Sequence, residues 1–127
     1  MSKLKIEKID AIKGKQEIFQ LVIDDVKQFD AFCDDIDSSG GQYAGECKKI
    51  ATILERVANL DSLPKNKFRV ISKSGEDAKE YEVKSKHLRV YLISKEKGKI
   101  IILCGYKNTQ PKDISKFRSL KNQFLGI

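Results

Sequence analysis

Residues 79–109 read KEYEVKSKHLRVYLISKEKGKIIILCGYKNT, and the alternation inside this stretch decides the fold. Tyr81, Val83 and Ser85 alternate with Glu82 and Lys84, and Leu88, Val90 and Leu92 alternate with Arg89 and Tyr91. A period of two, with one apolar and one polar face, describes half-buried antiparallel strands. Ile100 to Cys104 contains no charged residue and reads as a strand covered on both sides. Lys86-His87 marks a first turn and Lys95-Glu96-Lys97-Gly98 a second, with Gly98 expected at positive φ. This three-strand meander, residues 79–107, places Glu82, Lys84, Arg89 and Tyr91 on the face away from the core. Tyr106 and Lys107 follow at the exit of its last strand. The expected surface is an open, cationic sheet face that carries phenols.

Upstream, residues 3–12 and 17–23 are β-like, with a hairpin expected at Lys13-Gly14-Lys15-Gln16, so that 3–23 forms an N-terminal β-hairpin. Asp24 or Asp25 is the expected N-cap of a helix whose apolar face is Phe29, Phe32, Cys33 and Ile36, ended by Gly40-Gly41. Tyr43, Cys47, Ile50, Ala51, Leu54, Val57 and Ala58 then hold one face of a second helix, from about Gln42 to Asn59. Residues 24–60 therefore make a helical hairpin. A connector from Leu60 to Gly75 contains Pro64 and the basic residues Lys65, Lys67 and Arg69; Phe68, Val70 and Ile71 either add a short strand or anchor the loop. Downstream of the meander, Pro111 and Asp113 open a last helix over 111–125, with Ile114, Phe117, Leu120 and Phe124 as its apolar residues. The economical packing is an α+β fold: an antiparallel sheet, mixed at its N-terminal strand, against a helical hairpin.

The chain has 127 residues, 40% of them hydrophobic and 34% charged, which describes one globular domain rather than a disordered chain. No apolar run approaches the length of a membrane span, and the charged start, MSKLKIEKID, does not read as a signal peptide. Cys33, Cys47 and Cys104 are unclustered in sequence and lie in apolar patterns, so they read as small buried side chains of a cytoplasmic protein. The net charge of +7 is unevenly distributed. Residues 1–63 hold 9 Lys/Arg against 12 Asp/Glu, whereas residues 64–127 hold 16 against 6. A basic sheet half of this kind suits a polyanion.

A helical hairpin, Leu63-Pro64, YEVKSKHLRVYLI, then IIILCGYKNTQP and a helix resembles the RelE/HigB superfamily of bacterial toxins, its HigB-like, phage-derived branch above all. The matching residues are Tyr81-Glu82-Val83-Lys84, Arg89-Val90-Tyr91 and Gly105-Tyr106-Lys107-Asn108-Thr109-Gln110-Pro111, and the likeness covers roughly residues 17–125. The resemblance implies a RelE/ParE-like fold with an extra N-terminal strand and a C-terminal helix. It implies a ribosome-dependent mRNA endonuclease that inhibits translation, working in the cytoplasm with no cofactor, metal or membrane, and neutralised by a cognate antitoxin protein. It also implies roles: Arg89 facing the scissile phosphate, with Lys84 and Lys107 as basic residues on the flanking strands. The chain departs from the family pattern at Gly105-Tyr106, where many members place a histidine, and at Asn108, where the family has a second lysine. Two alternatives keep the same fold: a ParE-like gyrase inhibitor, and a non-catalytic binding protein.

Metal-free RNA cleavage uses the neighbouring 2′-hydroxyl as nucleophile. It needs a base there, an acid at the leaving 5′-oxygen, and cations around the phosphorane. Arg89 suits the last role, being always charged and able to grip two oxygens. Lys84 serves as the base if neighbouring cations lower its pKa. His87, the only histidine, is a candidate acid or base. Tyr91 and Tyr106 are candidates to stack an unpaired base, and Lys65, Lys67, Arg69 and Lys86 to attract phosphates.

Overall fold

The structure, a computed structural model, describes residues 3–72 and 78–126. The end of the Leu60–Gly75 connector, residues 73–75, lies outside the described residues. Among the described residues, seven strands and three α-helices follow in the order β1 (Leu4–Lys8), β2 (Glu17–Ile23), β3 (Val26–Lys27), α1 (Gln28–Ser39), α2 (Glu46–Ala58), β4 (Phe68–Val70), β5 (Glu80–Lys84), β6 (Leu88–Lys95), β7 (Gly98–Tyr106) and α3 (Gln110–Leu125). A 3-10 turn, Lys107–Thr109, joins β7 to α3.

One mixed sheet runs β1-β2-β7-β6-β5-β4, with β3 paired to β2 as a side branch. The β5–β6–β7 meander is antiparallel, and β2 joins β7 in parallel. β7 is therefore central, and this is the reason its apolar run lacks a polar face. A bulge on β7 lies opposite the Tyr91/Leu92 step, where Tyr91 pairs with Leu103 and Leu92 with Ile101. Ile102 and Leu103 consequently both point to the same side as Ile100.

Helices cover both faces of the sheet. On one, α1 and α2 bury Phe29, Ile36, Ile50, Leu54 and Val57 against Ile18, Val83, Val90, Leu92 and Ile101. On the other, α3 lays Phe117 over Tyr91, Ile93, Ile100 and Ile102, with Ile114, Leu120 and Phe124 packed alongside. The α+β class, two successive helices before the meander, the meander itself and the C-terminal helix correspond to the reading of the sequence, and Phe68–Val70 does form a short strand.

The differences are local and have physical reasons. β1 stops at Lys8 because the following residues turn inward: Ile9 and Ile12 are buried under the hairpin. Gly14 comes so close to Ala58 that a Cβ there would sit 2.7 Å from the alanine methyl. Asp24 and Asp25 do not cap α1. Both take positive φ, 47° and 69°, in a two-residue turn between β2 and β3, a conformation Asp tolerates better than most residues. The capping group arrives from across the sheet instead: the buried Gln20 Oε1 accepts the Phe29 and Asp30 amides, each at 3.0 Å. α2 begins at Glu46, leaving Tyr43 in the preceding turn. At the β6–β7 turn the positive φ belongs to Lys97, at 64°, rather than to Gly98.

Candidate active site

The register of the meander sets one row of side chains across three strands: Lys84 pairs with Arg89, and Arg89 with Gly105. The neighbouring row is Arg69, Glu82, Tyr91 and Leu103. Glu82, Lys84, Arg89 and Tyr91 thus share one face, as the alternation predicts. That face is not open, because α3 covers it. Glu82 and Tyr91 are fully buried and Arg89 is only 7% exposed. Gly105 permits the close approach of the helix: a Cβ there would overlap the carboxylate of Asp113 in the first turn of α3.

Two sequence-derived roles change accordingly. Tyr91 cannot stack an RNA base, since its ring lies against Phe117, centroids 5.5 Å apart. Its hydroxyl is buried without a hydrogen-bond partner among the described residues, and burial is the main reason its pKa is raised. Removing an unsatisfied buried hydroxyl removes a desolvation cost of about 1–3 kcal/mol. Tyr91→Phe should therefore melt at or above the wild-type temperature; a clear fall in Tm would show that the hydroxyl has a partner. Arg89 is likewise turned inward, its Nη1 donating to the Ser85 and Leu88 carbonyls at 2.8 Å each, so it braces the β5–β6 turn. Its charge remains at the site, but that nitrogen is not offered to a phosphate.

Lys84 is the point on which the cations converge. Burial is the first cause lowering its pKa, followed by the charge of Arg69; Arg89 and Lys107 act in the same direction and Glu82 opposes them. The crowding by neighbouring cations is therefore present, with Arg69 the largest contributor of charge. Glu82 is itself well occupied: Arg69 Nε donates to it at 2.8 Å, Gln110 Nε2 donates to its other oxygen, and the Lys84 ammonium is 3.9 Å away. Arg69 and Lys84 thus stand beside one buried carboxylate, and Arg89 and Lys107 lie near enough to Lys84 to act on its charge. Lys107 is exposed at the mouth of this cluster.

His87, in the β5–β6 turn, is held by Glu46 of α2. Nδ1 lies 2.6 Å from Oε2, the His87 amide donates to Oε1 at 2.9 Å, and the Ser85 hydroxyl donates to the same oxygen. Burial presses the Glu46 pKa upward, but the bonds from Ser85 and from the His87 amide and ring outweigh it and bring the value below 4.5. The stability drawn from this carboxylate is complete above the unfolded value of 4.5 and is lost as pH falls through the lower folded value. Thermal melts of wild type and Glu46→Gln should therefore differ most near neutral pH and converge in acid.

Beside this pair lies a cleft of about 250 Å³ lined by Tyr43, His87, Lys107 and Asn108. The Tyr43 ring is 5.0 Å from His87 and 5.3 Å from Tyr106, and Tyr106 is 5.5 Å from Phe32. Tyr106 is thus part of the aromatic wall behind the cleft, half-buried, and burial raises its pKa. The Lys107 amide donates to the His87 carbonyl at 2.8 Å, so Lys107 belongs to both the cleft and the cation cluster. Lys65 and Arg69 border a separate shallow groove of about 490 Å³ with Phe68 and Val70, and Lys67 and Lys86 are exposed.

Glu46 is the residue the sequence reading missed. It falls on the apolar stripe of α2, three residues after Tyr43 and four before Ile50, and a carboxylate there is the available signal of an inward partner. Among the described residues, no group of three or more His, Cys, Asp or Glu side chains converges as metal ligands would. The cysteines are free and sit in the layer that joins α1 and α2 to the sheet. No helix among the described residues is long and apolar enough to cross a membrane. Comparison with known protein families, characterised proteins and solved structures finds no match to this chain.

Proposed function

We propose that this chain is a toxin of the RelE/HigB kind: a metal-independent endoribonuclease that cuts mRNA on the ribosome, works in the cytoplasm and is held silent by an antitoxin protein. The observation that carries the reading is the convergence of Arg69, Arg89 and Lys107 on Lys84, which stands beside the buried Glu82 carboxylate at the rim of the face that α3 covers. Such a cluster stabilises the charge that builds on a phosphorane, and a lysine amine with a lowered pKa can take the 2′-hydroxyl proton. The exposed Lys65, Lys67, Arg69 and Lys86 add to the positive field that would attract an RNA strand. Arg89 enters the reading as a fixed charge and a brace rather than as the group that grips the phosphate.

The test supplies purified protein with ribosomes and message and maps new 5′ ends. The expected result is discrete cleavage within the ribosome-bound codon region, lost on adding excess antitoxin encoded beside the gene. A message left intact under these conditions, with DNA gyrase inhibited by the same preparation, would overturn the ribonuclease reading.

A further inference from the structure

The sheet ends at β1, and among the described residues no strand lies beyond it. The outer side of this strand has a definite chemistry. Asp24 donates its amide to the Lys3 carbonyl at 2.9 Å, and Ile9 donates to the Ile18 carbonyl at 2.8 Å. With the β1–β2 register, these bonds direct the backbone of Lys3, Lys5, Glu7 and Ile9 toward β2. The amides and carbonyls of Leu4, Ile6 and Lys8 therefore face outward, as a row that another strand can take up. Leu4 and Ile6 lie on the α3 side of the sheet, partly buried, while Lys5 and Glu7 stand exposed on the other side.

Lysines on an edge guard against pairing with a foreign strand. Here the strand, LKIEK, carries its own complement. Set antiparallel to a second copy about Ile6, it places Ile6 opposite Ile6, Leu4 opposite Lys8, and Lys5 opposite Glu7 at both ends. Ile6 and the Leu4–Lys8 pairs then occupy the hydrogen-bonded positions, as the outward backbone groups require. Lys5 and Glu7 occupy the closer, non-hydrogen-bonded positions, with Cβ atoms about 4.5–5.5 Å apart. Asp25 is 3.4 Å from Lys5 and Lys27 is 2.9 Å from Glu7, so each new pair extends a row of alternating charge. Sliding the copy by two residues sets Lys5 against Lys5 or Glu7 against Glu7 and shortens the overlap. The opposite edge, β4, has three residues, carries Arg69 and follows Lys65 and Lys67, so a second copy would meet like charge there.

We propose that the outer edge of β1 is a homodimerisation surface, on which two copies join antiparallel about a two-fold axis at Ile6 into one continuous sheet. The contact is isologous, and because it is small the dimer is weak and concentration-dependent. β5, with Lys84, lies four strands inward, about 19 Å from β1, so both copies keep that rim open. The inference does not depend on the ribonuclease reading.

Sedimentation of the full chain over a concentration series tests it, and a monomer–dimer equilibrium is expected. Lys5→Glu and Glu7→Lys each set like charges face to face at two places, and each should weaken dimerisation by about tenfold or more. Both side chains are exposed, so the variants should fold, which their melting curves check. An equimolar mixture of the two variants should dimerise again, because each altered charge then faces its opposite. Both substitutions in one chain should restore the dimer for the same reason. A wild type that stays monomeric up to about 1 mM overturns the proposal. So does a dimer indifferent to either substitution, or a mixture of the two variants that remains monomeric.

Discussion

On the proposed ribonuclease reading, replacing Lys84 with methionine should slow RNA cleavage by about 10²–10⁴-fold and leave the melting temperature within a few degrees of wild type. Methionine keeps the length and apolar stem of lysine and removes only the ammonium. Stability should hardly respond, since the ammonium is partly desolvated among cations and lies 3.9 Å from a carboxylate that keeps Arg69 and Gln110. Activity should respond strongly, because this amine is the one whose pKa is lowered by burial and by Arg69, Arg89 and Lys107. The sign follows directly. A base must be unprotonated, so the wild-type rate should rise with pH and level off below the ordinary lysine value of 10.5. Single-turnover rates between pH 6 and 10 test this, and a methionine variant with the wild-type rate and profile removes Lys84 from the chemistry.

The largest effect on folding is expected at a residue far from that site. Gly98 begins β7 where β2 joins it in parallel, opposite Glu17. A Cβ on Gly98 would overlap the Glu17 carbonyl oxygen and fall 2.9 Å from its carbon. Both neighbours are backbone, so no side chain can swing away, and the Glu17 amide is tied to the Lys97 carbonyl at 3.0 Å. Gly98→Ala must therefore push β2 from β7 and break the parallel join that attaches the N-terminal hairpin to the meander. We expect a loss of more than about 4 kcal/mol, at the extreme of single substitutions. Urea unfolding measures it, and a loss under about 1 kcal/mol would mean that the two strands are not held this closely.

Gly98 also shows what kind of information the sequence holds. A glycine after Lys95-Glu96-Lys97 reads as the residue that turns the chain, and the turn is indeed there. Its purpose is different: Lys97 takes the positive φ, and the glycine makes room for a strand that begins 81 residues earlier. The same holds at the start of α1. Asp24 and Asp25 carry a helix-capping signature, but the amides are taken by Gln20 from a neighbouring strand, and the two aspartates turn the chain. Capping preferences are local, whereas the choice among several competent partners is made by packing.

The candidate site divides along the same line. The row Lys84–Arg89 and the shared face of Glu82 and Tyr91 follow from a two-residue period, which any strand pairing must respect, so the order of residues alone carries them. The amphipathic residues Ile114, Phe117, Leu120 and Phe124 are equally plain in the chain. Their destination is not, since an apolar helical face carries no label for the sheet face it will cover. α3 takes the face holding Arg89 and Tyr91, so a surface expected to meet RNA is a second core, and the site lies at its rim, at Lys84 and Lys107.

By itself, then, the order of residues determined the elements, their two- and 3.6-residue faces, the pairing of the meander and the basic character of its half of the molecule. All of these are short-range consequences of backbone geometry and side-chain polarity. Only the tertiary structure decided that β2 lies parallel to β7, that α3 roofs the cationic face, and that Glu46 meets His87. Each of those depends on burying apolar area and satisfying buried polar groups between segments far apart in the chain, and no local pattern records such a choice.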